Sequence, residues 1–294
     1  MKKLLTNGDS WTYGSEISCP EILAVPGEKG FGMANRYKQG MHDTMQVNDY
    51  FRIPKIWPTH LSKLLDAENI NISWPARSND VIYTATVGWV LDYLAKGGDP
   101  ADLTVVIGWS SPERRNILIQ DFDDVLNRVT LWPAMDDDQY YPTDAAKRYF
   151  KFYVQHLWLE QEYITRWVEQ NFNLHLFLKS KNINHKFFNA FWLWNHTPVP
   201  VHQWQDVNLL DVIERWRDVD LKGHHEQTWR KNEEIDRVKN MWKAIPDDVF
   251  MYKDTLRSFK WYVDQTVPTE DRMYNMHPSP TSHEVWAKHL STVL

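Results

Sequence analysis

Two residues at opposite ends of this 294-residue chain could together do acyl-transfer chemistry. Ser10 follows Gly8-Asp9 directly behind the short apolar run Leu4-Leu5-Thr6, and His277 stands in Met276-His277-Pro278-Ser279, where a final helix opens. A serine hydroxyl is a weak nucleophile until a base takes its proton, and histidine is the usual base and later acid. A serine held on a sharp strand-to-helix turn presents its hydroxyl at the carboxyl edge of a sheet, within reach of a distant histidine. Each motif has an ordinary reading when taken alone: Asp and Ser after Gly cap helices and turn chains, and His-Pro-Ser begins many helices. Their joint occurrence, in this order and at the two ends of one domain-sized chain, favours the chemical reading. The backbone N–H of Ser10 is then the first donor available to a developing oxyanion.

Strands and helices alternate between the two ends. Leu4-Leu5-Thr6 reads as the first strand, 59–66 as a helix after Pro58, and Ile70-Asn71-Ile72-Ser73 as a second strand. Apolar residues at Val81, Ile82, Ala85, Val90, Leu91 and Leu94 have helical spacing. Leu103-Thr104-Val105-Val106-Ile107 is the kind of continuous β-branched run that is buried on both faces of a parallel sheet. Phe187-Phe188-Asn189-Ala190-Phe191 reads as the next strand and Val249-Phe250-Met251-Tyr252 as the last. Such alternation implies a parallel sheet with its site at the carboxyl ends of the strands, where Ser10 falls. The stretch 143–182 reads as a broken pair of helices, 207–243 as a charged helical insertion, and 14–58 as a long loop. These are expected to form lid elements or docking surfaces around the site.

Composition narrows the partners. A net charge of −6 and a pI near 6.1 give no basic field, so neither nucleic acid nor an anionic membrane is expected as a partner. The single cysteine, Cys19, cannot form an internal disulfide. Met1-Lys2-Lys3-Leu4-Leu5 stops short of a signal-peptide core, and no run approaches membrane-spanning length, so the protein is expected to be cytoplasmic at synthesis. No glycine-rich phosphate cradle is present, His196, His202, His224 and His225 lack metal-ligand spacing, and 136–138 reads as a solvated acidic loop. No cofactor and no metal are expected.

The Gly8-Asp9-Ser10 and His277-Pro278 blocks resemble the first and last sequence blocks of the SGNH, or GDSL-type, esterase and lipase superfamily, in the form of a phage and bacterial variant subset. The resemblance implies a single α/β domain over 1–294. This would be a three-layer α/β/α sandwich with a five-stranded parallel sheet of flavodoxin-like type, with insertions at about 15–57, 113–182 and 196–245. It also implies ester hydrolysis through an acyl-serine intermediate. Its second block falls at Trp74-Pro75-Ala76-Arg77-Ser78-Asn79-Asp80, where Arg77 takes the usual glycine position and would offer its backbone N–H. Asn79 would either donate through its amide or cap a helix. The third block is Ile107-Gly108-Trp109-Ser110-Ser111-Pro112-Glu113-Arg114, with Ser110 in place of the usual asparagine donor. Removing such a donor costs a few kcal/mol of transition-state stabilisation, so a slow or specialised enzyme is implied. The aspartate usual three residues before the histidine is replaced by Tyr274, which leaves Asp271, Glu270 or a backbone carbonyl to orient His277. His283 takes a structural place.

With Trp11 and Trp109 beside two of the blocks, an aromatic platform for an acetylated glycan is one expectation, and core filling is the other. The substrate is expected to be a small carboxylic ester or an O-acetylated glycan, with transfer to another alcohol as a variant. The missing aspartate and asparagine favour a second reading from a different class. In it the chain is a weakened SGNH-type binding or structural protein, such as a virion component, that assembles as a homo-oligomer or with a neighbour through its helical insertions.

Overall fold

The first apolar run forms β1 (Lys3–Gly8), which pairs in parallel with β2 (Glu68–Asn71) on one side and β3 (Leu103–Trp109) on the other. Next in the chain, β4 (Arg115–Gln120) and β5 (Leu126–Leu131) form a separate antiparallel hairpin, and β6 (Asn184–Asn189) then returns to pair in parallel with β3. The main sheet therefore has the order β2-β1-β3-β6. In this computed structural model the described residues are 1–15, 17, 48–120, 126–131, 144–190, 208–218, 225–253, 257–274 and 277–294. Most of the 14–58 loop, Cys19, the 136–138 acidic run, His196, His202 and His224 lie outside them.

Alternation along the pleat sends successive side chains to opposite faces, and both faces are covered. Leu5, Val105, Ile107 and Phe187 pack with Ile82 and Val90 of α3 (Asn79–Ala95), and with helices further along that are described below. Leu4, Val106 and Phe188 pack on the other face with Trp57 and Leu61 of α2 (Trp57–Leu64), the helix that precedes β2. A four-residue turn of helix, α1 (Ser10–Tyr13), sits at the end of β1. Beyond the hairpin come α4 (Asp144–Phe152), a single π-helical turn (Tyr153–Leu157) and α5 (Glu160–Ser180). Trp167, Val168 and Leu178 of α5 complete the first face, together with Trp242 of α7 (His225–Ala244), which follows the short α6 (Leu209–Arg215). Phe259 of α8 (Phe259–Thr266) and Trp286 and Leu290 of α10 (Pro280–Ser291) complete the second face. Between α8 and α10 lie α9 (Thr269–Arg272) and a minimal hairpin of β7 (Met273–Tyr274) and β8 (His277–Pro278). The layers are helix, sheet and helix, each fully buried large side chain contributing about 1.5–3 kcal/mol.

Two expectations are corrected here. The sheet has four strands rather than five. The segment expected as the last strand reaches the β6 edge, where Phe187 N–H donates to Val249 O and Met251 N–H to Phe187 O, both at 2.8 Å. It makes only an isolated bridge there, because Tyr252 adopts a left-handed backbone (φ 58°) that turns the chain away after one rung. The hairpin at 115–131 was not expected; its Leu131 packs with Ala146, Phe150 and Tyr153 in a small satellite core. Among the described residues, no helix is long and apolar enough to cross a membrane.

Candidate active site

The Ser10 turn is built by close contact between two strand ends. Gly8 and Gly108 are register partners, and a side chain at Gly8 would collide with Thr12 Oγ1 and lie 2.8 Å from Gly108 O. A Cβ on Gly108 would in turn lie 2.7 Å from Thr12 Oγ1 and 3.0 Å from the Phe188 ring. With both glycines in place, Thr12 tucks under the turn and α1 starts at Ser10. Asp9 caps α1 by accepting from Trp11 N–H at 3.0 Å, and Gly14 ends it in the left-handed region at φ 80°. Behind the turn, the buried Asn7 amide donates to Ile82 O (3.0 Å) and Thr86 Oγ1 (2.9 Å), tying the end of β1 to α3. Ser10 itself is only 7% exposed. Its backbone N–H belongs to the first helical turn, where no carbonyl lies four residues back inside the helix to accept it.

His277 is brought to this turn from the other end of the chain. Ser279 caps α10 by accepting from Ser282 N–H at 3.2 Å, and Pro280 stands at the first helical position, so the helix begins just after His277-Pro278. β8 lies against α1, and the Trp11 and His277 rings are 6.5 Å apart, centre to centre. No hydrogen bond joins Ser10 to His277 among the described residues. Catalytic hydrogen bonds are often long before substrate arrives, so this spacing does not decide the role. Among the described residues, no hydrogen bond or ion pair joins Asp271 to His277. Asp271 lies on the exposed α9, where its backbone carbonyl accepts from Ser279 Oγ, while Tyr274 is the residue opposite His277 in the β7–β8 ladder.

The third block meets Ser10 from the neighbouring strand. Ser110 stands two residues beyond Gly108, as Ser10 stands two beyond Gly8. Asn79, expected as an oxyanion donor or helix cap, is the first residue of α3, after Ser78 at the cap position. Its Oδ1 accepts from Ser110 N–H (2.8 Å) and its Nδ2 donates to Ser110 O (2.9 Å) and, at 3.5 Å, to Ser111 O, so the amide clamps the Ser110 backbone. Arg77 Nη1 donates to Ile72 O and, at 3.4 Å, to Asn7 Oδ1.

A buried ion pair at this edge involves a residue that the sequence motif contained without assigning it a role. Arg114 is buried and pairs with the fully buried Asp9, Nη1 to Oδ2, at 3.0 Å. The same Nη1 donates to Ser110 Oγ at 3.0 Å. Burial pulls the Arg114 guanidinium below its usual range, and Asp9 and then Glu113 hold it up. A sequence signal existed, since an Arg in an otherwise buried block needs a buried acid partner, and Asp9 is the acid of the serine turn.

The aromatic expectations also change. Trp11 (6% exposed) packs edge-on to Phe259 and Trp109 (0%) to Phe187, so both are core residues and neither forms a platform. Among the described residues, Trp74 is an exposed aromatic at this edge (44% exposed); its backbone N–H donates to Gly8 O at 3.3 Å and its ring lies 5.6 Å from that of Tyr13. Farther back, buried His283 accepts from Trp57 N–H at 3.2 Å through Nδ1, and burial pushes its pKa down to about 3. Among the described residues, no group of three or more His, Cys, Asp or Glu side chains is arranged to hold a metal ion.

No functionally curated protein matches the chain. Seven chains among the solved structures match it, among them the following two. One is assigned to the G-D-S-L family of lipolytic proteins and comes from Desulfitobacterium hafniense DCB-2, with 12% identity, 100% of each chain covered and a TM-score of 0.39. The other is a carbohydrate esterase whose active site displays divergent catalytic and non-catalytic binding functions, with 12% identity, 99% of this chain and 67% of that one covered, and a TM-score of 0.37. At these TM-scores the functional reading rests on this chain's own residues. A family model matches residues 39–197, from before β2 to beyond β6, a span that includes Asn79, Ser110 and Arg114 but neither Ser10 nor His277. Since that span is more than half of the chain, the protein belongs to DUF6071, a family of unknown function.

Proposed function

We propose that the protein is a serine esterase of SGNH type that hydrolyses a carboxylic ester through an acyl-serine intermediate. The observation that carries this reading is that the Ser10 turn and the His277 strand, from opposite ends of the sequence, meet at the carboxyl edge of β1 and β3. In this reading Ser10 Oγ attacks the ester carbonyl as His277 accepts its proton. His277 then returns the proton to the leaving alcohol, and water releases the acid by the same route in reverse. The N–H groups of Ser10 and Arg77 and the hydroxyl of Ser110 hold the oxyanion. With Tyr274 in the usual aspartate position, opposite His277 in the β7–β8 ladder, no carboxylate at that position orients the imidazole, which implies slow turnover. An O-acetylated glycan is the substrate class proposed, and the exposed Trp74 is an aromatic face available to a sugar ring.

A second reading is favoured by the low exposure of Ser10. It makes the chain a binding or assembly protein, in a virion or a homo-oligomer, that retains the turn without using it.

A fluorophosphonate probe separates the two readings. The esterase is expected to be labelled at Ser10, as located by peptide mass spectrometry, and Ser10→Ala and His277→Ala are expected to abolish labelling. Folded protein that takes up no probe would sink the esterase and leave the binding reading.

A further inference from the structure

Ser110 has almost every hydrogen-bonding group committed. Asn79 takes both its backbone N–H and its carbonyl, and Arg114 Nη1 occupies a lone pair of its hydroxyl oxygen. A guanidinium can only donate, so the Ser110 hydroxyl is forced to accept from Arg114 and has one proton left to give. No described residue receives that proton. Arg114 Nη1 lies 3.0 Å from both Ser110 Oγ and Asp9 Oδ2, which sets the Ser110 hydroxyl beside the residue that precedes Ser10. Arg114 is itself held by Asp9, whose other oxygen caps the Ser10 helix, so one buried ion pair fixes both the nucleophile's turn and the hydroxyl beside it.

We infer that Arg114 and Asp9 are positioning residues that turn and polarise the Ser110 hydroxyl, making it a charge-assisted donor to the oxyanion in place of an amide side chain. This inference rests on the esterase reading. A hydroxyl whose oxygen already accepts from a cation is a stronger donor than a free one, which is how a short side chain serves where a longer amide would otherwise reach.

The test is a double-mutant cycle on turnover of p-nitrophenyl acetate, with fluorophosphonate labelling of Ser10 measured in parallel. Ser110→Ala keeps the Asp9–Arg114 pair. Arg114→Met alone strands a buried carboxylate and is vulnerable to misfolding. Asp9→Asn/Arg114→Met instead removes both charges, while the amide oxygen introduced at position 9 still accepts from Trp11 N–H. Ser110→Ala is expected to lower kcat about 100-fold with KM little changed, as for loss of one oxyanion donor. The Asp9→Asn/Arg114→Met protein is expected to lose about 10-fold in kcat, and adding that pair of changes to Ser110→Ala should cost little beyond the roughly 100-fold already lost, because the charges act through that hydroxyl. Losses that multiply, or a pair variant with lowered melting temperature and intact kcat, would overturn the inference while leaving the esterase standing. Wild-type protein that neither turns over ester nor labels at Ser10 would overturn both.

Discussion

His283 links the helix that follows His277 to the helix that precedes β2, and its protonation should loosen that link. Its Nδ1 accepts from the N–H of Trp57 at the start of α2, so the ring must be neutral with its proton on Nε2. Burial is the main reason its pKa falls to about 3, and the charges bearing on it, His60, Arg52 and His277, all oppose a positive ring. In the unfolded chain the same ring titrates near 6.5. Below pH 6.5 the unfolded state therefore binds more protons than the folded one, and stability falls as the pH falls towards 3. From about pH 7.5 to pH 5 the loss from this one group is about 2 kcal/mol, at roughly 1.4 kcal/mol per pH unit below 6.5. His175, pushed down to about 4 by burial, and His185 behave in the same sense, so the wild-type slope alone does not isolate His283. His283→Phe keeps the edge-on contact with Phe259 and removes both the acceptor and the titration. The variant should be less stable at pH 7.5 by about 1–2 kcal/mol for the stranded Trp57 N–H. At pH 5 that gap should close or reverse by about 2 kcal/mol. Urea unfolding followed by tryptophan fluorescence at the two pH values measures this. Parallel losses in the two proteins would refute the reasoning.

Other outcomes follow from the same geometry. Gly8→Ala should force Thr12 and the strand end apart, costing about 1–3 kcal/mol and displacing the Ser10 turn; a lowered melting temperature with lost Ser10 labelling would show it, and an unchanged protein would contradict the close packing. Trp11→Ala should cost about 3–5 kcal/mol as a cavity against Phe259, seen in denaturant unfolding, whereas a raised KM with full stability would restore the platform role. Trp74→Ala should leave stability within about 0.5 kcal/mol and, if a sugar stacks there, raise KM for acetylated glycans but not for p-nitrophenyl acetate.

The sequence by itself determined the strands of the main sheet and the two end motifs. The run 103–107 is β-branched and unbroken, and only a strand covered on both faces buries such a run, which is how β3 lies. Glycine at 8 and 108 and the capping chemistry of Asp9 and Ser279 are local signals, and they specify where α1 and α10 begin. What the tertiary structure decided is which groups remain available once packing is complete. Asn79 and Ser110 are both polar residues near a turn in the sequence; only the fold shows that the amide binds the Ser110 backbone while the hydroxyl accepts from Arg114. The Asp9–Arg114 pair, Trp11 in the core with Trp74 at the surface, and the single bridge where a fifth strand was expected are likewise contacts between segments far apart in the chain. Periodicity and capping act within a few residues, whereas burial and pairing are set by neighbours that the chain brings together only when it folds.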